Sequence, residues 1–254
     1  PGGEAAALDV RVEGDASFTI SVAGEPWLRS GPLRMFADGA WHAARGPRAS
    51  LARAGLRSYA GADELGEFRC VNVSWSRRGS AKAALHTSLK HYPGLPGAVF
   101  IQELPLGALG TNASNPKLPL APKIDVGAYP PIVAFPSFLA SDGRLPSLGY
   151  ALWQDVMAQL RTGTDVATGL SGLSSSGPVV VFDRSGPALA VSPMDNFMSA
   201  VHSTSGAGGA RVWESGVSSE ITSLPPGFRH RTLLVAGHGV TATMERWGVA
   251  MRRA

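Results

Sequence analysis

The chain has 254 residues, of which 31 are Gly and 19 are Pro. The two together make up about a fifth of it, against a usual share of roughly 12%. Charged residues are 17%, hydrophobic residues 44% and the net charge +4. This excludes a disordered chain, which carries fewer apolar and more charged residues, and a Gly- and Pro-poor coiled coil. No apolar run nears the ~18–20 residues that span a bilayer. What remains is a soluble, turn-rich globular protein of one large domain or two small ones.

Period-2 patterning dominates from the start. Leu8 to Glu13 and Ser17 to Val22 alternate around Gly14-Asp15 and read as a β-hairpin, followed by a turn at Ala23-Gly24-Glu25-Pro26. Residues 43–63, rich in Arg, Ala, Gly and Ser, read as a weak strand or an insertion. Strands are expected at Phe68 to Trp75, Ala83 to His91 and Ala98 to Leu104, the last two separated by Pro93-Gly94-Leu95-Pro96-Gly97. Residues 105–131 carry six prolines and read as one long loop, a feature that is usually functional or an interface.

The second half begins at Ile132-Val133-Ala134-Phe135. Residues 147–161 fit two templates equally. Leu148, Leu152, Val156 and Leu160 have helical spacing, and Leu148 to Trp153 also reads as a strand. After a Ser/Gly loop at 169–177 come strands at Pro178 to Asp183 and Ala188 to Ser192, and a Gly/Ser/Ala turn at 203–210. Strands at Val217 to Leu224 and His230 to Val235 follow, and then a helix over Val240 to Met251 with Thr241 as N-cap and Met244, Trp247 and Met251 on one face. Ten or more strands with few helices predict a large two-sheet antiparallel sandwich.

Few residues carry chemistry openly. Arg45, Arg48, Arg53 and Arg57 have no interleaved aromatics to stack bases, so a solvated loop is expected and no nucleic-acid partner. The lone Cys70 reads as a buried structural thiol. The six His show no metal-site spacing; His86 and His91, five apart on a strand, face opposite ways. No serine-hydrolase elbow or phosphate loop is present, and no cofactor is implied. The sequons at Asn72 and Asn112 are candidate glycosylation sites. With the processed-looking start Pro1-Gly2-Gly3 they favour a secreted or extracellular setting over the reducing compartment that an absence of disulfides suggests. Asp195-Asn196, directly after a strand, reads either as a turn bonding its own backbone or as a substrate or interdomain contact. Trp213, beside Glu214 after a Gly-rich turn, is the candidate for an exposed ring against which a sugar packs.

Three stretches carry a family resemblance. They are Gly177 to Asp183 with Leu189 to Phe197, Ile221 to Phe228 running into Thr232 to Val235, and Gly237 to Val240 through Met244 to Trp247-Gly248; Gly61 to Phe68 and Trp75 fit as well. Over residues 60–250 the chain resembles the N-terminal β-supersandwich domain of α-galactosidase-like and raffinose-synthase-like glycoside hydrolases. The resemblance implies an all-β, galactose-mutarotase-like supersandwich at 1–238. Residues 239–254 would form a linker helix toward a (β/α)8 catalytic barrel, in cis or as a separate processed chain. The family's catalytic carboxylates lie on that barrel and map to no residue here. The domain would support the barrel, and Asp195-Asn196 would border the sugar site. Two rival readings are a stand-alone carbohydrate-binding sandwich, which needs an exposed Trp such as Trp213, and a mutarotase-like epimerase, which needs a His and a carboxylate converging on one pocket.

Overall fold

The computed structural model describes residues 6–47, 49–113, 130–154, 159–164, 166, 174–175, 177–206 and 211–254. The chain opens with a meander, β1 (Leu8–Val12), β2 (Phe18–Val22) and β3 (Glu25–Arg29), and a hairpin, β4 (Arg34–Ala37) and β5 (Ala40–Ala43). Four long strands follow: β6 (Leu51–Asp63), β7 (Gly66–Arg77), β8 (Ala83–Tyr92) and β9 (Gly97–Leu104). Next come β10 (Ala108–Leu109), β11 (Ser137–Leu139), β12 (Gly149–Gln154), β13 (Gln159–Gly163), β14 (Ser174–Ser175), β15 (Val179–Phe182) and β16 (Pro187–Pro193). The last strands are β17 (Ala200–Ser205), β18 (Val212–Val217), β19 (Ser223–Leu224) and β20 (Phe228–His238), and the helix α1 (Val240–Arg253) closes the chain.

The architecture is an all-β antiparallel sandwich with one C-terminal helix. Its larger layer is a nine-stranded sheet ordered β13-β12-β15-β16-β20-β9-β8-β7-β6. The facing layer is built around β11-β18-β17-β14. Bridges extend it. Ser30 pairs with Phe138 and joins the meander to β11, while Met35–Val133 and Pro131–Ser218 tie β4 to β18 through the 131–134 segment. That segment lies so close to β18 that a Cβ on Gly216 would meet the Val133 carbonyl oxygen at 2.3 Å, so the position admits only glycine.

Strand periodicity explains the layering. Val179 and Val181 point into the core between the sheets with Leu189, Val191 and Leu234. Val180 points the other way with Ala188 and Ala190, under Val240, Met244 and Trp247 of α1. A strand buried on both faces reads as a continuous apolar run, and the alanines on the outer face let the helix approach closely.

Several expectations are corrected. Of the two readings of residues 43–63 the strand holds, as the 13-residue β6, and it carries Arg53 and Arg57 in place of the expected solvated loop. Arg45 lies in a turn, 2.6 Å from Asp15, and Arg48 is outside the described residues. In 147–161 the described residues form β12 and β13, so the strand template holds. The strand expected at Val217 to Leu224 sits earlier, at β18, because Ser218-Ser219-Glu220 makes a turn closed by Ile221 N–H to Ser218 O. The helix begins from Gly239 at φ 83°, not from Thr241, since glycine lets β20 turn directly into it. The loop at 169–177 and the turn at 203–210 fall largely outside the described residues.

The core gives a direct test. Leu234 is fully buried among large apolar side chains, whereas Leu109 is 69% exposed. Leu234→Ala is expected to cost about 2–5 kcal/mol and Leu109→Ala within roughly 0.5 kcal/mol, read from urea unfolding midpoints.

Candidate functional site

The chain passes from the larger sheet to the smaller one between β16 and β17, and polar groups concentrate there. The last pair of β16 with β20 is Pro193–Thr232. Met194 N–H still donates to Arg231 O at 2.9 Å. Asn196 then adopts φ 53°, a left-handed conformation that Asn tolerates better than most residues. Its carbonyl accepts from the Ser199 and Ala200 N–H groups, which starts β17.

Asp195 is the hub. Its Oδ1 accepts from the Arg231 backbone N–H and from Asn196 Nδ2, each at 2.9 Å. Its Oδ2 accepts from Arg231 Nε at 2.8 Å. His230 Nδ1 lies 2.9 Å from Oδ1, off the line of an aligned hydrogen bond. Asn196 Nδ2 also donates to Arg229 O at 3.0 Å. The Asp195 and Asn196 side chains thus bond the backbone of β20, while the Asn196 carbonyl bonds the turn's own backbone. Burial opposes ionisation of Asp195, but the contacts with His230 and Arg231 outweigh it and hold the carboxyl down at about 2.

His230 and Arg231 are neighbours on a strand and face opposite ways. Arg231 reaches the outer surface, 3.5 Å from Glu64, and lines a charged cleft with Asp63, Lys90, Tyr92 and Arg229. In that cleft Lys90 Nζ and the Tyr92 hydroxyl donate to Asp63 Oδ2 at 2.7 and 2.9 Å. Burial, then the Asp63 carboxylate, push the Tyr92 hydroxyl well above its ordinary range.

His230 faces inward and joins a polar belt across the sandwich. Inward positions read Leu85-Thr87-Leu89 on β8, Phe100-Gln102-Leu104 on β9, Trp213-Ser215-Val217 on β18, and His230-Thr232-Leu234 on β20. Phe100, Leu89, Trp213 and Leu234 belong to one apolar cluster, and Leu85, Leu104 and Val217 to another. Of the polar residues between them, Thr87, Gln102 and Ser215 have hydrogen-bond partners, while Thr232 Oγ1 has none among the described residues. Trp75 Nε1 donates to Thr87 Oγ1 at 2.9 Å, Gln102 Nε2 to Phe135 O at 2.8 Å, and Ser215 Oγ lies 2.5 Å from His202 Nδ1. Burial, then the nearby His230, lower the His202 pKa to about 3. On the other face of β18, the buried Glu214 accepts from Arg34 at 2.6 Å, and the Arg34 guanidinium stands 4.4 Å over the Trp41 ring.

The sequence-based candidates divide on this geometry. Asp195 and Asn196 sit together at the crossover. Trp213 does not present an exposed ring: it is fully buried, 5.3 Å from the Phe138 ring and 6.0 Å from His202, because β18 turns it inward. A His and a carboxylate do meet at His230–Asp195, but His230 is buried and neither residue lines the charged cleft. Asn72 is half-buried on β7, its amide donating to Ser88 Oγ at 2.7 Å. Asn112 is half-buried too, with Oδ1 enclosed, and its sequon partner Ser114 lies outside the described residues. Sequence reasoning missed Arg231, Asp63 and the Arg34–Glu214 pair. The signal for the first was present: Arg229 and Arg231, two apart, mark one charged face on an otherwise apolar strand.

No family model and no curated protein matches the chain. Solved structures do match its fold. A glycoside hydrolase family 97 enzyme from Pseudoalteromonas sp. strain K8, in complex with acarbose, aligns with TM-score 0.56 and 10% identity, covering 91% of this chain and 34% of that one. The α-N-acetylgalactosaminidase NagBb from Bifidobacterium bifidum, in complex with Gal-NHAc-DNJ, aligns with TM-score 0.58 and 11% identity, covering 98% and 38%. At such identity the likeness is one of fold. The chain spans little more than a third of the length of these structures.

The buried His202 and the half-buried Asp195 give separable pH signatures. For His202, lowered from 6.5, the neutral form is the folded one, so stability is full above pH 6.5 and falls below it. The slope from this one proton is about 1.4 kcal/mol per pH unit, and His202→Gln is expected to abolish it. For Asp195, lowered from 3.8 to about 2, the contribution is present above pH 3.8 and lost as pH falls through 2. It is worth about 2 kcal/mol, and Asp195→Asn removes it at neutral pH. Urea unfolding between pH 2 and 8 measures both.

Proposed function

We propose that this chain is a non-catalytic sandwich domain of a carbohydrate-active enzyme, a glycoside hydrolase acting on galactosides or related sugars through a separate catalytic barrel. One observation carries the reading. The fold aligns over nearly all of this chain with glycoside hydrolases, yet accounts for only 34–38% of their length. The sequence resemblance points to the same class independently. In this reading residues 1–238 form the sandwich and 239–254 lead toward the barrel. The interior is consistent with it: His202, His230 and Glu214 are buried. The turn at Asp195-Asn196 then serves by position, orienting Arg231 on the face that carries the charged cleft. A stand-alone sugar-binding module loses its main candidate with Trp213 buried.

Nitrophenol release tests this. Residues 1–254 purified alone are expected to hydrolyse neither p-nitrophenyl α-galactoside nor p-nitrophenyl α-N-acetylgalactosaminide, whereas the full product of the gene hydrolyses at least one. Turnover by residues 1–254 alone would overturn the reading, as would a full product with no barrel.

A further inference from the structure

We infer that the free edge of β6 is a docking site for an extended, acidic segment of a partner protein, which adds to the nine-stranded sheet as a tenth strand. Among the described residues β6 pairs only with β7, so it ends the sheet. Alternate residues of such an edge turn their N–H and C=O groups outward, a template for a further strand. Proteins blunt such edges by keeping them short or by adding Pro, Lys or bulges. β6 does little of this. It is 13 residues long, contains neither Pro nor Lys, and has one bulge, between Arg53 and Gly55. From Gly55 to Asp63 it runs in unbroken register with β7. Residues 52–62 are exposed throughout, with Leu56 at 42% and Tyr59 at 40%.

Charge selects the occupant. Between Leu51 and Ala62 the only charged residues are Arg53 and Arg57. Arg57 stands 5.5 Å from the Tyr59 ring, beside the open edge, and Arg53 reaches back to the Gly14 carbonyl. Of the nearby acids, Asp63 is engaged by Lys90 and Tyr92 and Glu64 by Arg231, while Glu67 stands on β7 opposite Ala62, five residues along from Arg57. A second copy would bring its own arginines to the same seam, in a chain already at net charge +4. The arginines therefore repel self-pairing and attract an acidic strand, since opposite charges across a strand pair stabilise it and like charges do the reverse. Strand addition supplies affinity through the main chain and specificity through alternate side chains. The inference does not rest on the glycoside-hydrolase reading.

The probe is an acetylated ten-residue peptide alternating Glu and Thr, labelled for fluorescence anisotropy, with a Lys/Thr peptide as control. The Glu/Thr peptide is expected to bind, to slow hydrogen exchange at β6 amides, and to weaken with salt. Arg57→Glu, an exposed change that leaves the core untouched, is expected to weaken binding by about fivefold, as one favourable cross-strand pair becomes a like-charge pair. Absence of binding, equal binding of the Lys/Thr peptide, or an unchanged affinity in Arg57→Glu would each overturn the inference. A dimer in sedimentation equilibrium that Arg57→Glu dissociates would assign the edge to a second copy instead.

Discussion

A β-sandwich needs its chain to pass from one sheet to the other, and the passage from β16 to β17 is held by one carboxylate. Asp195 sits where β16 runs out of partners, and it takes hydrogen bonds from Arg231 main chain and side chain together. A carboxylate accepting several hydrogen bonds at a half-buried site stays ionised and gains more than a neutral acceptor would. Asn196 closes the turn in a conformation that most side chains avoid, and its amide reaches β20 as well. The direction in which β17 sets off, and so where β18 lies over the larger sheet, follows from this junction.

The polar belt is the second consequence of the same arrangement. In β8, β9, β18 and β20 an inward position that hydrophobic burial alone would fill with Val or Leu holds Thr, Gln, Ser or His instead. Each such group costs about 1–3 kcal/mol if left unpaired. The bonds Trp75–Thr87, Gln102–Phe135 and Ser215–His202 offset that cost at some positions. Thr232 Oγ1 and His202 Nε2 have no partner among the described residues. The apolar clusters on either side supply the stability against which the belt is tolerated, and the belt fixes register, because a strand shifted by two residues would set Gln102 against leucine.

Much of the fold was legible because it rests on period 2. Val179-Val180-Val181 announces a strand buried on both faces, and the alternation of Leu8 to Val12 with Phe18 to Val22 announces the hairpin. β6 was legible only as one of two readings, a weak strand or an insertion, since its Ala, Gly, Ser and Arg carry no apolar alternation; an edge strand open on both faces has no core to record in its sequence. The site was half legible. Asp195 and Asn196 stand out as polar residues after a buried strand, but their partner Arg231 lies 36 residues away in sequence, and Glu214 lies 180 from Arg34. Local pattern cannot pair such groups. Trp213 misled because a Gly-rich stretch before it suggested a loop tip, whereas β18 begins at Val212 and turns the ring inward.

The division between inside and outside bears on function as well as stability. Fold alone does not fix function, which has to be argued from groups that meet a substrate or partner. The belt holds residue types of catalysis, two histidines and a serine, and Glu214 lies on the opposite face of β18, yet all four are buried and Glu214 is paired with Arg34. A nucleophile or general base has to reach a reacting atom within hydrogen-bond distance, and the contacts of these groups are with protein: Ser215 with His202, Glu214 with Arg34 and His230 with Asp195. Among the described residues, the charged cleft on the outer face of the larger sheet and the edge strand β6 are open to the surroundings. Asp195 joins the two regions, its carboxylate touching His230 on the inner side of β20 and Arg231 on the outer side, so the contact that positions the sandwich also positions the surface.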